Sequence, residues 1–290
     1  MGAVKSSPGL SDPDRLVARY GGVPVIYVES TEDHYVYGEC WFKDWLSRVE
    51  FQPAMVQCGF SGCSAVLEAV GGERTAGNLA WGIVDRDTVM SQDLWNLVHE
   101  TDDAKYKSAK PFGAEIKVLC RWEMESYLAD AIALEQCRAE LQRQPRRPDS
   151  VVAQELLDQC DALMPHAAIN ATCHELRVPG FGDGYTNRFP ARSAVEADIH
   201  STLLPNLPNS AIALYAKHVP LVDAFDKPDS PPGERVNALL RRVHGKGLLS
   251  RFGSIHNITV DLKGLLANRI KEQARIPSEI GDFVAKIANI

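Results

Sequence analysis

Residues 80–89 read AWGIVDRDTV. A short apolar run ends in Ile83-Val84, and Asp85-Arg86-Asp87 follow at once. Successive side chains of a strand alternate between faces, so Asp85 and Asp87 would share one face, about 7 Å apart, with Arg86 directed away. Two carboxylates that close repel unless a proton or a cation sits between them. Taken alone the pair also reads as a solvated turn, because Asp is common at strand ends. What the rest of the chain supplies decides between the two.

Working outward, "GGVPVIYVES" (21–30) is a buried strand that ends at Glu29, and "QPAMVQCG" (52–59) a second strand. Between them, "TEDHYVYGECWFKDWLSRV" (31–49) spaces its apolar residues as a helix does. "SGCSAVLEAV" (61–70) is a helix with Ser61 or Ser64 as its cap. "NLAWGIVDRD" (78–87) is the third strand, and "IKVLCRWEMESYLAD" (116–130) begins as a fourth and turns helical near Glu123. This alternation predicts an α/β fold, a parallel-sheet core with helices on both faces. Working residues of such sheets lie beyond the carboxyl ends of the strands. Glu29, Asp85 and the pair Glu123/Glu125 each stand where a strand reading ends. Glu32 and Asp33 read instead as first-turn acids of the next helix, where the dipole favours a carboxylate.

Residues 21–140 are thus expected to form the α/β core, preceded by a flexible N-terminus over 1–20. "QRQPRRPDS" (142–150) is a loop. Residues 150–225 read as a helical insertion, in which "PGFGDGY" (179–185) lacks the Lys-Ser/Thr of a P-loop and is a turn. Residues 230–290 form a C-terminal helical region.

At 290 residues and 45% hydrophobic, the chain can bury a sizeable core. No window of about 18 apolar residues appears, so no transmembrane helix is expected. The first residues lack a secretory apolar segment, which points to the cytoplasm. Gly2 and Ser6 fit only the loose myristoylation pattern. Seven scattered cysteines without a Cys-x-x-Cys pair argue against a disulfide framework. "CGFSGC" (58–63) has no second ligand pair of the kind a zinc site needs. A net charge of −7 speaks against a protein that coats nucleic acid, though not against a nuclease, where cations invert the local potential.

"VIYVESTED" (25–33), "WGIVDRD" (81–87) and "RWEMESYL" (121–128) together resemble the TOPRIM fold as used by nucleases of the OLD type. They are most similar to the compact TOPRIM-like domain encoded beside ABC-type ATPases in bacterial defence loci, including the effector of the PARIS anti-phage system. The resemblance covers residues 23–130 by motif and extends loosely to "HGKGLL" (244–249). It implies that Glu29 is the general base or a metal ligand. Asp85 and Asp87 would hold Mg²⁺ or Mn²⁺, with Glu125, or Glu123 as second choice, completing the site. Lys246 would meet a phosphate or stabilise transition-state charge. It also implies a nucleic-acid substrate (tRNA by analogy), an ABC-type ATPase partner and a toxic role in antiviral defence; a small acidic effector is further expected as a possible homodimer, and the lack of an apolar window predicts no membrane association. The Gly that follows the family's Glu is Ser30 here, which would strain a backbone that needs a positive φ.

Arg121 is a further candidate for a phosphate contact or for an ion pair with a nearby acid. "RQPRR" (143–147) and "LLRRVHGKG" (239–247), with Arg241, Arg242 and His244, are candidate backbone contacts or solvated helix ends. His34 faces the Glu29 opening or is packed. Two rival readings stand. "DRDTV" matches the Asp-x-Asp-x-Thr/Val loop of haloacid-dehalogenase-like phosphatases, with Asp85 as nucleophile and Asp87 as acid/base. The chain also fits a non-catalytic TOPRIM subunit of an ATPase complex.

Overall fold

The computed structural model describes residues 22–290. The expected flexible segment 1–20, with Gly2 and Ser6, lies outside them. Four strands, β1 (Val25–Val28), β2 (Glu50–Pro53), β3 (Ala80–Val84) and β4 (Ile116–Val118), form one sheet in the order β2-β1-β3-β4. β1 runs parallel to both neighbours, with Tyr27 opposite Gln52 on one side and Gly82 on the other. The α/β class expected from the alternating pattern is observed.

The helices in chain order are α1 (Thr31–His34), α2 (Met55–Cys58), α3 (Cys63–Thr75), α4 (Asp87–Ser91), α5 (Trp95–Val98), α6 (Asp103–Ala109), α7 (Glu125–Leu128) and α8 (Ala131–Gln142). They continue with α9 (Asp149–Glu175), α10 (Arg192–Asp198), α11 (Ala211–Asp223), α12 (Pro232–Leu239), α13 (Gly245–Ile255), α14 (Lys263–Glu272) and α15 (Ser278–Ala288). None of them is long and apolar enough to cross a membrane. The chain divides into two compact units that are not consecutive stretches. One comprises 22–84, Phe112–Lys117 and Lys271–Ile290; the other comprises Asp85–Pro111 and Val118–Ile270.

The sheet unit is built on β-branched and aromatic residues. Ile26, Tyr27 and Val28 of β1 are buried, as are Phe51 of β2 and Ile83 and Val84 of β3. Phe51 stacks on Phe42 and Tyr37, with ring centroids 5.7 and 6.1 Å apart, and each such pair adds about 0.5–1.5 kcal/mol beyond the area it buries. Gly82 lets α3 approach the sheet: a Cβ there would lie 2.6 Å from Val66 Cγ1 and 2.9 Å from Ile116 Cδ1. Lys117 on β4 pairs with Glu279 of α15 at 3.7 Å.

Two local expectations need correction. The second strand lies earlier than read, over Glu50–Pro53, and Met55–Cys58 is helical. Neither Ser61 nor Ser64 caps α3; its N-cap is Gly62 at φ +92, a conformation that excludes most side chains. Cys58 donates its thiol to the Ala65 carbonyl at 3.4 Å, so it staples the α2–α3 corner.

The helical unit is organised by α9, which packs against α8, α10, α11, α12 and α13. Arg147 of its arginine-rich entry loop is tied inward and not offered as a backbone contact, while Arg143 and Arg146 are exposed. Arg147 donates to both oxygens of Glu135 and pairs with Glu155. Glu135 is fully buried and also takes a bidentate contact from Arg138 at 2.9 and 2.6 Å. Burial pushes this carboxyl up, but hydrogen bonds from Arg138 and Arg147 outweigh it and hold it down at about 2.

An unfolded Glu titrates near about 4.3, so the contribution of Glu135 is complete above that pH and is lost as pH falls toward the folded value. Glu135→Gln should therefore lower stability by about 3–5 kcal/mol at pH 7, the cost of stranding the buried partners. It should also flatten the loss of stability between about pH 4 and 2. Urea midpoints measured across that range, wild type against variant, check both.

Candidate active site

In the sheet unit, Glu29 is the first residue after β1, and Asp85 is bonded to Val84, the last residue of the neighbouring strand β3. Ser30 sits at φ −137, so no left-handed conformation is required where the family has Gly. Ser30 works here as the N-cap of α1. Its hydroxyl accepts from Asp33 N–H at 3.1 Å, and Asp33 Oδ2 accepts from Ser30 N–H at 3.0 Å. Such a cap is worth about 0.5–2 kcal/mol. His34 closes the last turn of α1 with its ring over Gly38, where a Cβ would meet its Nε2 at 3.5 Å, so it is packed.

The Asp-Arg-Asp segment follows the end of β3 as a turn and does not continue the strand. Arg86 has helical dihedrals and Asp87 opens α4, so the alternation argument that aimed both acids at one face does not apply. The turn holds both acids beside the 122–124 segment instead. Met124 N–H donates to Asp85 Oδ1 at 3.0 Å, and Asp87 N–H donates to the Trp122 carbonyl at 3.3 Å. Arg86, read as pointing away, is fully buried beneath the turn. Its guanidinium donates to the carbonyls of Cys120, Leu97 and Glu100 at 2.9, 3.0 and 2.6 Å and lies 4.0 Å from the Tyr106 ring centroid.

Glu123 and Glu125 are both buried, on either side of the entry to α7. Glu123 Oε1 accepts from Lys246 N–H at 2.7 Å, which caps the amino end of α13. Its other oxygen lies 3.5 Å from Lys246 Nζ. Glu125 Oε1 meets Lys263 Nζ at 3.0 Å and Lys246 Nζ at 3.8 Å. Burial raises the carboxyls of Asp87 and Glu123, while His244 and Lys246 pull both back down. Lys246 is pushed the other way: burial lowers its ammonium pKa, but Glu123 and Glu125 outweigh this and hold it firmly charged.

The "HGKG" element owes its glycine to contact. A Cβ at Gly245 would lie 2.2 Å from the Ser126 backbone nitrogen, so only glycine lets α13 reach α7. His244 does not face a phosphate. Its Nδ1 pairs with Asp183 Oδ1 at 3.1 Å, its ring packs between Trp122 and His166, and its Nε2 is buried.

The remaining basic candidates are corrected in the same way. Arg241 is buried, with a hydrogen bond to the Thr101 carbonyl and an ion pair to Asp103. Arg242 is fully buried, donates to the Ala167 carbonyl and lies over the Trp122 ring. Arg121 spans the Ser126 carbonyl and Asn237 Oδ1 and covers Tyr127. Contacts from distant segments hold all three guanidinium groups, although Arg242 Nε and Nη1 are buried without a hydrogen-bond partner and Arg121 is half-buried.

The helical unit thus gathers Asp85, Asp87, Glu123, Glu125 and Lys246. It adds Lys263 and Asp183, which carried no motif in the sequence. A Lys at a helix start and an Asp in a Gly-rich turn are each too common to single out. No family model matches the chain, and no curated protein or solved structure matches it.

Gly245→Ala should destabilise the protein by about 1–3 kcal/mol or more, since the clash is with backbone. Gly247→Ala, whose Cβ would meet the movable Leu163 side chain at 3.0 Å, should cost less. Denaturant midpoints of the two variants check the order.

Proposed function

We propose that the chain is a metal-dependent phosphodiesterase, a TOPRIM-type nuclease. One observation carries this reading. Within the helical unit, a pinned Asp85/Asp87 turn stands beside two buried glutamates whose charge is met by Lys246 and Lys263.

The donor chemistry fits a hard cation. Carboxylate oxygens suit Mg²⁺ and Mn²⁺, and a desolvated acid such as Asp87 gains most when a cation offsets its burial. Asp85 and Asp87 would hold the ion. Glu125, already neutralised by two ammonium groups, is the weaker ligand, and Glu123 is committed to the α13 amino end. When bound, the ion supplies Lewis-acid charge and an acidified water for hydrolysis.

The remaining work falls to the side chains. Lys246, 43% exposed and kept charged by its glutamates, meets the negative charge that builds on the non-bridging phosphate oxygens. Met124 N–H orients Asp85 and so fixes the site without reorganisation. The resemblance assigns Glu29 as base or ligand. It also supports a toxic defence effector held in check by an ABC-type ATPase partner, with tRNA as substrate by analogy, acting in the cytoplasm and as a homodimer.

The test is cleavage of RNA and plasmid DNA with Mn²⁺, wild type against Glu29→Ala and Asp85→Ala. Each variant should lose more than the about 10–100-fold expected of outer-shell residues. Cleavage that survives in Asp85→Ala would sink the reading. Hydrolysis of a small phosphomonoester that is lost in Asp85→Ala but spared in Glu29→Ala would replace it with the phosphatase. Absence of both cleavage and Mn²⁺ binding in the wild type would leave a regulatory subunit.

A further inference from the structure

A cleft of about 410 Å³ opens beside the lysine pair, between α13 and α14. It falls within the roughly 300–1,000 Å³ of small-ligand sites. Its lining is divided. Lys246 and Lys263 stand at one end, while Ile258, Val260 and Leu262 from the loop joining the two helices, with Leu249 of α13, form an aliphatic wall.

The cationic end is pre-arranged. Glu123 and Glu125 draw both ammonium groups to one place, so a phosphate meets them without first ordering two long side chains. Lys246 keeps 43% of its side-chain surface, and an ammonium has three N–H donors, so pairing with a carboxylate does not exhaust it. Part of the wall is accessible as well: Val260 is 50% exposed and Ile258 half-buried, while Leu249 and Leu262 are buried behind them. An anionic end against an apolar face is the chemistry of a nucleotide, with phosphate on the lysines and a base laid on the aliphatic side chains. Asp183 and Asp261 also line the cleft. Asp261 Oδ1 accepts from Lys263 N–H at 3.0 Å, and both carboxylates can accept hydrogen bonds from a sugar hydroxyl.

We infer that this cleft binds one nucleoside monophosphate unit, the nucleotide flanking the scissile phosphate. The inference rests on the nuclease reading for its meaning, but not for its test. With no aromatic platform and no amide side chain along the wall, the base is held by shape and burial, so the site tolerates any base.

The experiment is calorimetric titration of the full chain, in EDTA, with adenosine monophosphate, inorganic phosphate and adenosine in turn. Saturable binding of the monophosphate, tighter than that of phosphate or adenosine, is expected. Val260→Trp, at a half-exposed position that leaves the core intact, should weaken the monophosphate at least tenfold and leave phosphate unchanged. Lys263→Ala should weaken both. No saturable monophosphate binding by the wild type, or an affinity unmoved by both substitutions, would overturn the inference. Because the titration contains no divalent ion, it stands apart from cleavage. Cleavage without monophosphate binding removes the cleft alone. Binding without cleavage under any metal removes the nuclease and leaves the cleft as a nucleotide site.

Discussion

A guanidinium buried without a carboxylate is among the costlier things a fold can contain, several kcal/mol for the desolvation alone. Arg86 is such a group, with its Nε left without a hydrogen-bond partner, and much of the helical unit depends on how its two terminal nitrogens are held. Three carbonyls, from Cys120, Leu97 and Glu100, converge on it, and the rings of Tyr106 and Phe225 cover it. The acceptors come from two separate stretches of the chain. The Asp-Arg-Asp turn therefore cannot move without dragging the 95–100 and 119–124 segments with it. Asp85 and Asp87 are held rigid by the residue between them.

The same economy recurs on the other side of the cluster. Glu123 and Glu125 are buried acids made tolerable by two lysines and by the amino end of α13, which Glu123 caps. That geometry requires α13 to touch the backbone of α7, which only Gly245 permits. Charge balance and close packing are here one constraint: remove the close approach, and the glutamates lose the donors that offset their burial. A site built this way has its groups fixed before any ligand arrives, which is what an electrostatic catalyst needs.

The strand pattern was legible because burial leaves a local trace. Val25–Val28 and Ala80–Val84 are short β-rich runs bounded by turn residues, and α15 shows the helical spacing of its buried residues Ile280, Val284 and Ile287. The acids at the strand ends were legible for the same reason, since they interrupt apolar runs. The arginines were not. Arg241 and Arg242 look like a basic patch in "LLRRVHGKG", yet both are buried against carbonyls and a tryptophan from distant segments. The histidines were equally silent. His99, His174 and His218 lie far apart in sequence but gather around Trp95, with ring centroids 5.9, 5.7 and 5.2 Å from it.

By itself, then, the sequence determined the class of fold, the strand-terminal positions of Glu29 and Asp85, and the presence of a Gly-Lys element late in the chain. These depend on periodicity and on local backbone rules, which act over a few residues. Tertiary structure alone decided that Arg86 is a buried pin, and that Lys263 and Asp183 join the cluster. Those roles depend on which carbonyls and charges arrive from 15 or 100 residues away, and no local pattern encodes the desolvation they must offset.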